Sequence, residues 1–417
     1  MRKETLDFFS ELMRFPSTPG NEQQAMEWLA RRLRPLCDEV ALVPFPEAFA
    51  EDPEFSDPIP GMRYEGRANL RAVLGGAGPA EGAPAAGDRA PGPRSLVINA
   101  HVDVVPPSEG QVAAFEPAVR DGALHGRGAC DDKGQIAALY EALLTLREDG
   151  IRPAGRLVLH LVAEEENGGN GTLALVREAQ RSGERAEGVL VMEPTGLAVA
   201  TASRSSVWFR VRTRGQSGHV GSSAQRRSAL AGAVAAMRAI ERRHAALRDR
   251  SRGVAPFEGM ENHLPLTFGV LHAGTWPASV PAEAVLEGVF AFLPNTDRGQ
   301  VMAAIRECLA AEEDLVDAEV SFPFRHECHV TPPDAMIVQE ALRAAEAAGI
   351  APRLSVFPAS NDAWLYATLL GIPVILFGAG RLEDAHASGE RIALAEVDRA
   401  SRMLRALIAA FCGVVRP

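Results

Sequence analysis

The stretch SLVINAHVDVV, residues 95–105, decides the fold. Leu96 to Ala100 are apolar or small except Asn99, a pattern too continuous for a half-exposed strand, so it reads as a buried one. The run ends on His101 and Asp103. Two more stretches repeat the plan. GRLVLHLVAEEE (155–166) is an apolar run ending in three acids, and GVLVMEP (188–194) ends on Glu193. Between the first two lies GRGACDDKG (126–134), with helical spacing from Gly134 to Leu146 just after Asp131. Strands alternating with helices argue for an α/β domain, whose sites form at the carboxyl ends of the strands.

Outward from these runs, residues 4–14 and 21–36 carry apolar residues at helical spacing, with FPSTPGN between them; Asn21 or Thr18 is the expected cap of the second helix. RANLRAVLG (67–75) reads as a strand. GGAGPAEGAPAAGDRAPGPR (75–94) is low-complexity and reads as a mobile surface loop joining two strands. Near residue 201 the texture changes to alternating strands, SVWFRVRTRG, LTFGVLHAG, AVLEGVFAFLP and AEVSFPF, with helical patterns after the first and third. That β-α-β-β-α-β order predicts a ferredoxin-like second domain inserted into the first. From about 326 the α/β pattern returns. The expected organisation is a catalytic domain at 1–200 and 326–417, with a mostly parallel mixed sheet flanked by helices, interrupted by an α+β insertion at 201–325.

A chain of 417 residues exceeds what one core usually serves. Its net charge of −11 argues against nucleic acid or an anionic membrane as principal partner. No run of about 18 apolar residues is present to span a bilayer. Charges interrupt the apolar residues of MRKETLDFFSELMRF, so no signal-peptide core is expected there. Five scattered cysteines without a CxxC argue for a reducing compartment, and the expected location is the cytoplasm.

The chemistry rests on side chains spread over the chain: His101, Asp103, Asp131, Glu165, Glu166, Glu193 and His386, the last in EDAHASGE. Imidazoles with carboxylates suit zinc, cobalt or manganese, and the surplus of carboxylates suggests two ions sharing a bridge, with a spare glutamate as base. Three adjacent acids after a buried strand repel one another unless a cation or a proton compensates. The glycines of EENGGNG let the backbone turn and bring two acids to one site, with Glu165 as proton shuttle. Lys133, one of only two lysines, is a candidate partner for this cluster. His326, Cys328 and His329 in HECH mimic a ligand cluster but mark the return crossing between domains. No GxSxG elbow exists for a serine hydrolase; Cys130 is the one plausible nucleophile for a cysteine amidase.

These motifs, in this order, resemble the M20 family of metallopeptidases and amidases, from FFSELMRFPSTPGNEQQAMEWL to AHASGERIALAEVDRA. The resemblance implies that His101 and Glu193 ligate one metal, that Glu166 and His386 ligate another, and that Asp131 bridges them. It makes Asp103 the partner orienting His101, and Glu165 the general base. The inserted domain is similar to the family's lid, implying a homodimer in which His219, in GQSGHVGSS, polarises the scissile carbonyl. It implies two divalent ions, zinc first, and hydrolysis of a small N-acyl amino acid or related amide, with an exopeptidase or dipeptidase as the alternative and a non-catalytic paralogue as a distant third. Two positions depart from the family pattern: Ala278 and Ala291 stand where an asparagine and an arginine usually bind a substrate carboxylate, which leaves Arg204 or Arg381 for that task, or a substrate without one.

Overall fold

The computed structural model describes residues 1–76, 93–219, 221, 227–260, 262–313, 315 and 317–415. Most of the low-complexity loop, residues 77–92, therefore lies outside the described residues. The chain divides into two compact units.

The first unit comprises Met1–Ala202, His329–Phe357 and Asp362–Pro417. Its sheet is mixed and runs Glu39–Pro44, Ala68–Gly75, Arg156–Val162, Leu96–His101, Gly188–Met192, Val374–Phe377, Val199–Ser203, His329–Val330, with Leu354–Phe357 also pairing Val199–Ser203. The four strands Arg156–Val162, Leu96–His101, Gly188–Met192 and Val374–Phe377 are parallel neighbours. They are buried on both faces, as their apolar runs require. Helices Lys133–Glu148, Leu394–Cys412, Asn170–Ser182 and Ala363–Leu370 flank them. Helix Lys3–Met13 buries Phe8, Phe9, Leu12 and Met13, one face at helical spacing, and stacks Phe8 on Tyr140 with ring centroids 3.9 Å apart.

The second helix begins at Gln23, and neither expected residue caps it. Asn21 Nδ2 donates to Thr18 Oγ1 (2.9 Å), so the two satisfy each other. The N-cap position belongs to Glu22, whose carboxylate accepts from the Gly20 amide and pairs with Arg67. A buried ion pair, not a polar cap, sets the entry of this helix.

The second unit comprises Ser203–Cys328 and Pro358–Asn361. Four antiparallel strands lie in the order Leu266–Ala273, Glu283–Phe292, Ser205–Arg214, Glu319–Arg325. Helices Ala229–Arg250 and Arg298–Ala310 connect them in β-α-β-β-α-β succession, the order of a ferredoxin-like unit. Along Ser205–Arg214 burial alternates from Val207 onward, with one face on the helices. His326 and Cys328 close this unit and His329 opens the return to the first. Cys328 Sγ donates to the Phe292 carbonyl and His326 stacks on Phe324. Among the described residues no helix is long and apolar enough to cross a membrane, and all five cysteines are free.

Candidate active site

The residues with chemistry stand where parallel strands end. His101 closes Leu96–His101 opposite Val162. Two residues beyond Val162, Glu164 adopts φ +65°, a left-handed conformation costly for a residue with a side chain. The turn continues through Gly168 (φ +137°), where a Cβ would lie 2.3 Å from Ser56 Cβ. Glu193 follows Gly188–Met192 directly, and Asp131 lies two residues before helix Lys133–Glu148. His386, itself at φ +59°, is carried by the loop between Val374–Phe377 and Arg391–Ala393.

The fold gathers these residues. His101 Nε2 is 2.8 Å from Asp131 Oδ1, and His386 Nε2 is 3.3 Å from Asp131 Oδ2 and 3.0 Å from Glu166 Oε1. The two oxygens of Asp131 thus face different imidazoles. One ligand atom from each of His101, Asp131 and Glu166 lies within 4.8 Å of the others. Glu193 is buried and feels the charges of Glu165, Asp131 and His101.

Asp103, the expected orienting partner of His101, meets it through its backbone carbonyl as well as its side chain. The imidazole Nδ1 donates to the Asp103 backbone carbonyl (2.9 Å), while the carboxylate oxygen is 3.6 Å away. A carbonyl can only accept, so Nδ1 carries a proton; Nε2, which donates to Asp131, is the nitrogen turned toward the cluster. The Asp103 carboxylate accepts from the amides of Glu165 (3.2 Å) and Glu166 (3.0 Å), and so pins the acid turn.

Burial and like charge oppose ionisation here. Burial raises Glu165 and Glu193 well above the usual carboxylate range, and neighbouring acids add to it. Burial also raises Glu166, helped by Asp131. Burial works upward on Asp131 too, but hydrogen bonds from His101 and His386 hold it below the usual range. Those to Asp131 and Glu166 push His386 up to about 10. A buried group of carboxylates in mutual repulsion, with imidazoles among them, fits divalent cations that prefer N and O donors.

Several positioning residues were not evident from sequence. Glu164 turns away from its two neighbours and is clamped by Arg67 Nη1, Tyr64 Oη (2.7 Å) and Asn170 Nδ2 (3.2 Å). Arg67 also pairs with Glu22, and all three charged side chains are at most 6% exposed. Arg67→Met leaves two buried carboxylates without their cation, so unfolding free energy should fall by about 3–5 kcal/mol. Denaturant melts check this; a loss under about 1 kcal/mol, the level of a surface pair, would contradict it. Glu390 accepts from the Cys130 and Asp131 amides and pairs with Arg127 at 2.5 Å, tying the loop of His386 to the turn of Asp131. Lys133 does not pair with the acids: Nζ donates to the Phe15 carbonyl (2.6 Å), and burial lowers it to about 7.

His219 lies in the second unit, on Gly218–His219, paired with Ser279–Val280, and its Nδ1 accepts from the Gly221 amide. Ala278 precedes Ser279–Val280, and Ala291 is buried on Glu283–Phe292. Arg204 donates to the Asn262 and His263 carbonyls. Arg381 is exposed on the His386 loop, and its carbonyl accepts from Cys130 Sγ.

Comparison with known proteins identifies the family. The sequence profile of Peptidase family M20/M25/M40 matches residues 97–410. The chain belongs to the M20 peptidase family. It is 30% identical over 407 residues to a succinyl-diaminopimelate desuccinylase of Methylorubrum extorquens, covering 93% of this chain and 94% of that one. It is 28% identical over 361 residues to an acetylornithine deacetylase of Myxococcus xanthus, covering 83% and 85%. Its fold is similar to that of the Bacillus subtilis YXEP protein, a dinuclear metal-binding peptidase of the M20 family, with a TM-score of 0.62, 15% identity and coverage of 99% and 98%. The mixed sheet flanked by helices is the M20 fold, and the chain is a metal-dependent amidohydrolase of that family.

Proposed function

We propose that this M20 enzyme cleaves the amide bond of a small N-acyl amino acid or related amide, with two divalent cations, zinc first among them. His101 and Glu193 would hold one, Glu166 and His386 the other, and Asp131 both. The observation that carries this reading is Asp131, with one oxygen toward His101 and the other toward His386. When bound, the two cations acidify a water and draw electron density from the scissile carbonyl.

The chain's own residues do the rest. Glu165, at the turn pinned by Asp103, takes the proton of the attacking water and delivers it to the departing nitrogen. With Nδ1 donating to the Asp103 carbonyl, Nε2 is the nitrogen that His101 would offer a cation on giving up its proton. The second unit would serve as lid and dimer contact, with His219 stabilising the oxyanion. The free cysteines fit a reducing, cytoplasmic setting. Arg381 is the better remaining candidate for a substrate carboxylate, because it is exposed on the loop of His386 while Arg204 is engaged with two carbonyls. A dipeptidase would use the same residues; the names of the curated relatives, a desuccinylase and a deacetylase, favour an acyl group.

The test is a panel of N-acyl amino acids, dipeptides and acylated amines offered to zinc- or cobalt-loaded protein, measuring free amine with and without chelator. Chelator-sensitive release, highest on an N-acyl amino acid, is expected; release that survives chelation would overturn the reading.

Cation uptake should also release protons. His386, raised to about 10 by its bonds to Asp131 and Glu166, carries a proton at neutral pH and must lose it to ligate. Affinity should therefore weaken as pH falls and strengthen as pH rises toward 10. Titration calorimetry in two buffers of different ionisation enthalpy reads the protons released; none at pH 7 would contradict the prediction.

A further inference from the structure

Two of the most apolar strands each carry a polar side chain. Asn99 on Leu96–His101 and His160 on Arg156–Val162 are register partners. Both are buried, and both belong to one hydrogen-bonded chain that also contains Tyr366, Thr172 and Asp362. Asn99 Nδ2 donates to Thr172 Oγ1 (2.8 Å) and to Tyr366 Oη (3.1 Å). Thr172 and Tyr366 accept from Asn99, so each has its own proton to give. Tyr366 Oη is hydrogen-bonded to His160 Nδ1 (2.8 Å), a ring that burial keeps neutral. Thr172 Oγ1 donates to Asp362 Oδ2 (2.6 Å). The chain terminates on Asp362.

The other carboxylate oxygen, Asp362 Oδ1, is fully buried and meets no donor among the described residues. A buried acceptor left over from an otherwise satisfied network calls for a partner that arrives from outside it. Asn99 lies two residues before His101 on the same strand, so on the same face of it, and through Thr172 it leads to Asp362; the chain thus runs from beside the acid cluster, whose His101 and Asp103 charges act on Asp362. A carboxylate oxygen accepts; the matching feature of an amide substrate is its N–H.

We propose that Asp362 Oδ1 receives the N–H of the scissile amide and holds that nitrogen while it becomes the leaving amine. This rests on the amide hydrolysis proposed above. In that reaction water oxygen bonds to the acyl carbon, its proton passes to Glu165, the C–N bond breaks and the proton goes to nitrogen. Asp362 gains and loses no proton; its hydrogen bond turns the nitrogen lone pair toward Glu165. The bond strengthens as nitrogen gains positive charge, so it acts more on kcat than on KM. An ester of the same shape has no N–H to offer.

The experiment compares N-acetylornithine with its ester isostere, 2-acetoxy-5-aminopentanoate, on metal-loaded full-length protein. Thr172 requires an acceptor, so in Asp362→Asn the amide oxygen faces Thr172 and the –NH2 opposes the substrate N–H. Loss of one charge-assisted hydrogen bond predicts that kcat for the amide falls about 10- to 100-fold more than kcat for the ester. Thr172→Val, which frees Asp362 without removing it, should show a smaller loss with the same amide selectivity, and it serves if Asp362→Asn fails to fold. Equal losses on amide and ester, or none, would make Asp362 a structural group and overturn the inference alone. If the wild-type protein cleaves neither this amide nor any other in the panel, the functional reading fails and the inference with it.

Discussion

Glu165→Gln should lower kcat for amide hydrolysis about 1000-fold, within the usual range for removing a general base, and leave KM within a few-fold. Glutamine keeps the size and the backbone of the turn, whose amides at 165 and 166 remain bonded to Asp103. What it loses is the basic oxygen that receives a proton. Burial and the neighbouring Asp362, Glu166 and Asp131 charges hold Glu165 well above the usual carboxylate range, although His101 works in the opposite direction. That environment suits a group that must take a proton and give it back. Steady-state kinetics on the best panel substrate, with metal content measured on both proteins, decide the matter. A loss under about tenfold with two ions bound would assign the proton transfer elsewhere.

Asp131→Asn should abolish activity by a different route, through the cations. Asparagine keeps the shape but offers one acceptor oxygen and one N–H2, so it can serve the His101 side or the His386 side, not both. It also removes the negative charge common to the two proposed positions. Dialysed protein should then retain fewer than two equivalents of zinc by elemental analysis, and activity should fall below that of Glu165→Gln. Circular dichroism separates this from unfolding. Two retained equivalents with near-normal turnover would show that Asp131 is not shared.

What could be read from sequence follows from distance along the chain. Buried parallel strands are recognisable because both faces are apolar. An acid or histidine at the end of such a run, as at His101 and Glu193, stands where α/β folds place their sites. Ser205–Arg214 was legible for the opposite reason, since alternation reports one wet face. Long-range pairing was not legible. Arg67 and Glu164 are 97 residues apart, and nothing near Glu164 signals that it turns left-handed and leaves the cluster to its two neighbours. The same holds for Glu22, whose pairing with Arg67 displaced the expected cap. Asn99 and His160 did leave a trace, as polar residues inside apolar strands, where an unpaired polar group is too costly to bury. Their partners on Asn170–Ser182 and Ala363–Leu370 needed the fold.

The central claim is that one buried carboxylate, Asp131, holds two cations between two histidines. Diffraction from crystals of zinc-loaded protein, collected at the zinc absorption edge, tests it most directly. Two anomalous peaks about 3.5–4 Å apart are expected, one beside His101 and Glu193, one beside Glu166 and His386, with an Asp131 oxygen on each. A single peak, or two that do not share Asp131, would contradict it.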